Sequence, residues 1–126
     1  MSVKIPISAG NWKMHGTNIN ADELCIGLRE IKEIKDVQIV LAPSYLQLNL
    51  VRDYFNDTGA GTEVGIAAQN MHFSDQRAFT GEVSPKQVAE VADWVILGHS
   101  ERRQMFCEND AALNRKVLAA LSNGIS

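Results

Sequence analysis

Four short apolar segments, each followed by a helix-like stretch, decide what this chain can fold into. They are Val3 to Ala9, Val37 to Ala42, Val64 to Ala68 and Trp94 to Leu97. None alternates apolar and polar residues cleanly, so each reads as a strand covered on both faces, the habit of parallel sheets. Parallel neighbours need a long crossover, and the segments between them supply helices. Asn20 to Ile34 carries Leu24, Leu28, Ile31 and Ile34 at helical spacing, with Asn20 as N-cap and Glu23 as its capping-box partner. Ser44 caps a second helix through Leu46, Leu50 and Tyr54, which ends before Gly59. Ser84-Pro85 opens a third as N-cap and first helical residue. A short helical turn follows His99, and Asn109 caps a last helix that runs to Asn123 and stops at Gly124. The polar segment Gln69 to Val83 has no apolar period and is long for a connection.

A parallel βα repeat fits either an open doubly wound sheet or a (β/α)8 barrel. No G-x-G-x-x-G follows the first strand and there is no P-loop, which weighs against a nucleotide-binding sheet. Polar residues gather just after strand ends: Asn11 and Lys13, Gln69 and Asn70, then His99. Barrel enzymes place their active sites on that face. The 126 residues form one domain without a linker or low-complexity run, and their net charge of -3 with scattered Lys and Arg argues against nucleic-acid binding. No apolar run approaches a membrane span, and the N-terminus lacks a basic-then-apolar leader, so the cytoplasm is the expected location. Cys25 and Cys107 lack metal-like spacing and read as reduced, packed thiols, so no metal is expected at them.

Two stretches carry chemistry. In Ile96-Leu97-Gly98-His99-Ser100-Glu101 a strand turns sharply into a helix, so the free N–H groups of the first helical turn point back at His99. Those donors and the positive helix end favour neutral imidazole, which can donate to an oxygen gaining negative charge. In Gly10-Asn11-Trp12-Lys13-Met14 an ammonium sits in an apolar turn, where it needs a partner. It offers a fixed positive charge to an anionic substrate, with Asn11 as a neutral donor and Glu101 as counter-ion.

These stretches, with Ala68-Gln69-Asn70 and Ala78-Phe79-Thr80-Gly81-Glu82-Val83-Ser84, occur in one order and spacing that resembles the triosephosphate isomerase family along the whole chain. The resemblance implies a TIM barrel of which residues 1–126 are the N-terminal half, its first four βα units. It implies interconversion of dihydroxyacetone phosphate and glyceraldehyde 3-phosphate, in glycolysis and gluconeogenesis, by a cofactor-free homodimer. Asn11 and Lys13 then match the substrate-binding pair and His99 the catalytic electrophile; a neutral histidine in that role is a known device of this family. Thr80 matches a residue that reaches the partner subunit's site, which makes the long polar segment a dimer arm. Arg102 and Arg103 are candidate interface groups, and His15 and His72 fall to the surface.

The sequence departs from the family's pattern at Arg77 and Cys107, where glycine is frequent, and at Asn109, where serine is frequent. A barrel of this class takes about 250 residues. The family's glutamate base, flexible lid and glycine-rich phosphate loops have no counterpart here, so the chain is expected to be a fragment, inactive alone and marginally stable unless a second chain completes it. The alternatives are a non-catalytic half-barrel module needing a separate C-terminal half, a Schiff-base aldolase acting through Lys13, and a doubly wound binding protein.

Overall fold

A computed structural model of the chain describes residues 3–31, 34–56 and 63–126. It has four strands, β1 (Ile7–Asn11), β2 (Gln38–Ala42), β3 (Val64–Ala68) and β4 (Trp94–Val95). The helices are α1 (Asn18–Arg29), α2 (Leu48–Phe55), α3 (Pro85–Ala89), α4 (Ser100–Met105) and α5 (Asp110–Ser122), and a single 3-10 turn, Tyr45–Gln47, precedes α2. The strands are parallel and lie in the order β1-β2-β3-β4. A doubly wound sheet must reverse its order part-way, whereas this one steps always in the same direction. Right-handed crossovers then put the helices that join successive strands on one face.

The two faces of the sheet show the result. Leu41, Ile66 and Ala68 pack with Cys25, Leu48, Val51, Val88 and Ala120 from the helices. On the opposite face Val40, Ala42 and Ala67 pack, among the described residues, with Trp94 and Ile96, so that layer comes from the strands and the residue that follows β4. This is the inside of a barrel wall, and the doubly wound alternative is excluded. Trp94 lies so close over β3 that a Cβ on Gly65 would stand 2.8 Å from the indole Nε1. Glycine there is a requirement of close approach.

Several boundaries differ from the sequence expectation, each for a local reason. β1 begins after Pro6 and runs on through Gly10 and Asn11, because these still pair with Leu41 and Ala42. β4 is regular only at Trp94–Val95, although Ile96 N–H still reaches Ala68 O at 2.8 Å; Gly98 then turns the chain at φ +69°. The cap of α1 is Thr17 and not Asn20: the Asn20 side chain accepts from Thr17 N–H at 3.0 Å, so Asn20 is the box partner. The buried residues of α1 are Ala21 and Cys25, with Leu28 partly buried against the same core, while Leu24 is exposed; Ile31 lies past the end of the helix, half-exposed beside Leu28. Leu46 is likewise exposed, and Leu48 and Val51 anchor α2. That helix ends at Phe55, and the expected boundary at Gly59 lies outside the described residues, as do Lys32 and Glu33. Ser84 and Asn109 cap α3 and α5 as expected, accepting from Gln87 N–H and Ala112 N–H.

The long polar segment is tied at its base by His72 N–H to Val83 O at 2.8 Å. His72 is not a simple surface residue. Its ring lies against Phe73 and Phe79, and its Nδ1 accepts from Ser74 N–H at 2.9 Å. Arg77 does not take a positive φ, so the absent glycine costs no left-handed strain there. At the far end of the chain, Ser126 N–H donates to Asp93 O and Ser126 O accepts from Val95 N–H. That is the pattern of a parallel neighbour on the free edge of β4, where the family resemblance places a fifth strand.

Cys25 is buried and its thiol is pushed up to about 11 by burial and then by Asp22. Cys107, expected to be packed, is exposed and left-handed at φ +54°. A non-glycine residue in that conformation is strained by contact between Cβ and the following carbonyl. Cys107→Gly removes the strain without removing packing, and is expected to raise unfolding stability by about 1 kcal/mol net of glycine's chain entropy, read as a higher urea midpoint.

Candidate active site

The carboxyl ends of the strands open on a cleft of about 460 Å³ lined by Asn11, Lys13, Tyr45, Gln69, His99 and Glu101, with Met105 and Phe106 at its apolar rim. Asn11 closes β1, and its Oδ1 accepts from Lys13 N–H at 2.9 Å. Lys13 sits in the left-handed region at φ +54°, strain of the kind that folds hold at functional sites. Its Nζ meets Glu101 Oε1 at 2.5 Å, the counter-ion expected from the sequence. Glu101 Oε2 lies 3.5 Å from His99 Nδ1. Asn11, Lys13 and His99, from two turns 88 residues apart in sequence at their Lys13–Glu101 contact, therefore share one rim.

His99 is itself the N-cap of α4, and its Nδ1 accepts from Glu101 N–H at 3.2 Å. A nitrogen that accepts a backbone proton carries none of its own, so the geometry assigns the ring proton to Nε2. The Glu101 carboxyl is held below the usual glutamate range, first by the hydrogen bond from Lys13 and further by that ammonium's charge. A lowered folded value means the ion pair stabilises the fold above the unfolded value and is lost as pH falls through the folded one. Titration of the Glu101 side-chain carboxyl by carbon NMR should give a midpoint below that of an ordinary glutamate.

Other groups found no role in the sequence reading. Gln69 donates from Nε2 to Lys13 O and Ala42 O. Behind the cleft, the side chain of Glu108 is buried between Arg102 and Lys116, and Lys116 reaches Asn70 Oδ1 at 2.8 Å. Arg102 is thus an internal partner of Glu108 and also lies over the Phe106 ring, while Arg103 pairs with Asp110. Thr80 is exposed in a turn at the end of the polar segment, outside the cleft, and His15 is exposed at the rim. Lys13 faces a carboxylate and not an apolar pocket, which disfavours a Schiff-base role. Among the described residues no three His, Cys, Asp or Glu side chains are placed to hold a metal ion, and no helix is long and apolar enough to cross a membrane.

A one-directional parallel sheet, helices on a single face and polar side chains at the strand ends define a βα-barrel protein with its cleft where such barrels hold active sites. The comparisons narrow the class. Residues 6–126 match the family model described as triosephosphate isomerase. The triosephosphate isomerase of Clostridium acetobutylicum is 43% identical over 98% of this chain and 49% of its own length. That of Clostridium perfringens strain SM101 is 38% identical over the same shares, and that of Thermoanaerobacter sp. strain X514 is 43% identical over 96% and 48%. The chain belongs to the triosephosphate isomerase family, and it spans about half the length of these relatives.

Proposed function

We propose that residues 1–126 supply the N-terminal half of a single barrel domain and, with it, the electrophilic half of a triosephosphate isomerase site. The observation that carries this reading is the Lys13–Glu101–His99 cluster joining the ends of β1 and β4. Isomerisation removes a proton beside a carbonyl and returns it to the neighbouring carbon, passing through an enediolate. The site must therefore offer charge and donors where oxygen becomes anionic. Lys13 supplies the charge, Asn11 an amide donor, and His99 a donor at Nε2 that polarises the carbonyl and moves protons between the enediolate oxygens. The Glu101 carboxylate is engaged by Lys13 and does not act as the base. The carboxylate that takes the carbon-bound proton comes from outside this cleft's described residues, and the phosphate is gripped mainly by the C-terminal half of the barrel.

The substrates are dihydroxyacetone phosphate and glyceraldehyde 3-phosphate, the setting is cytoplasmic, no cofactor is used, and the assembled enzyme is a homodimer with Thr80 on its arm. The test is a turnover assay of the purified chain, alone and mixed with a C-terminal half from the Clostridium acetobutylicum relative. The expected result is no turnover alone and turnover in the mixture. Near-normal turnover by the chain alone would sink the half-site reading. A folded complex without activity would favour a non-catalytic assembly module.

A further inference from the structure

One polar side chain of the cleft has no part in the chemistry above. Gln69 follows β3 directly, and its single Nε2 donates to two backbone carbonyls, Lys13 O at 2.9 Å and Ala42 O at 2.8 Å. The first belongs to the residue held at φ +54°. On the other side of that residue, Lys13 N–H is accepted by Asn11 Oδ1 at 2.9 Å. The Ala42 carbonyl also accepts Trp12 N–H at 3.0 Å, so the carboxamide joins the first turn to the end of β2. A strained conformation persists only where its surroundings over-determine it, and here both peptide groups of Lys13 are held. From that backbone the ammonium reaches Glu101.

We propose that Gln69 is a positioning residue for Lys13: its two N–H donors hold the left-handed turn from which Nζ is aimed across the cleft. The inference rests on the isomerase reading only for what Lys13 does once aimed. The chemistry is specific to an amide. Glutamate of the same size would set oxygens against two carbonyl oxygens, and leucine would fill the space without a donor.

The test reads two signals by NMR in the chain and in Gln69→Leu and Gln69→Glu. One is the strong contact between the Lys13 amide proton and its own Hα that marks a left-handed residue. The other is the titration midpoint of the Glu101 carboxyl, lowered in the parent by Lys13. Both variants are expected to weaken the first signal and raise the second toward an ordinary glutamate; a merely structural role would lower stability and leave that midpoint in place. A folded variant with both signals unchanged would overturn the proposal. Should neither variant fold, the parent decides: both Nε2 protons of Gln69 should exchange slowly with solvent, and fast exchange would overturn it. None of these readings needs turnover, so they stand or fall apart from the mixing assay.

Discussion

Exchanging His99 for glutamine is expected to lower kcat of the assembled isomerase by about 10²- to 10³-fold, the usual loss when one donor to a developing oxyanion is removed. KM should change far less. The Nε2 proton interacts weakly with a neutral carbonyl and strongly once that oxygen gains charge, so its contribution falls on the chemical step. Glutamine keeps a donor of similar reach but is anchored differently. In the structure the imidazole is fixed because Nδ1 accepts from the N–H of Glu101, whose own side chain is held by Lys13. Steady-state kinetics of the mixed halves, with and without the substitution, check the expectation. A loss confined to KM would mean that His99 only helps to bind.

The largest stability effect is expected behind the cleft. Glu108 accepts from Arg102 Nε at 3.1 Å and from Lys116, and the Glu108 and Lys116 side chains are each only 7% exposed. Glu108→Gln leaves the Lys116 ammonium buried without a counter-charge. Breaking a buried pair from one side costs about 3–5 kcal/mol, a large part of the 5–15 kcal/mol typical of a domain. Replacing both partners, as Glu108→Leu with Lys116→Met, is expected to recover most of that loss, because the unpaired charge is gone. Arg102 has solvent to turn to, while Asn70 loses one donor. Urea denaturation of the single and double variants measures the coupling. Equal losses for single and double would show that the site needs volume and hydrogen bonds and is indifferent to charge.

The readable parts of this fold were those written locally. Serine and asparagine before a helix place a hydrogen-bond acceptor where helical N–H groups lack one, so Ser84 and Asn109 announced α3 and α5. The same logic misassigned α1, since Asn20 serves Thr17 through its side chain and either polar residue could have been the cap. Strand ends were harder, because pairing with a neighbour continues through Gly10 and Asn11 after the apolar run has stopped. Of the site, Asn11, Lys13, Glu101 and His99 were legible because strand-end polar residues and helix starts are local features. The left-handed backbone of Lys13 was not, since lysine carries no signal for it. Gln69 was legible as a strand-end residue, but what it holds was not, and neither was the contact between Lys116 and Asn70. Lys13 lies 56 residues from Gln69 and Asn70 lies 46 residues from Lys116, and only the folded chain brings them together.

Isomerisation at this cleft requires Asn11, Lys13 and His99 to face the same developing charge. A crystal structure of the assembled halves with a planar enediolate mimic bound tests this most directly. The mimic's oxygens should lie within hydrogen-bond reach of Lys13 Nζ and His99 Nε2, with His99 Nδ1 still accepting from Glu101 N–H. A mimic seated away from these groups, or an imidazole turned to present Nδ1, would contradict it.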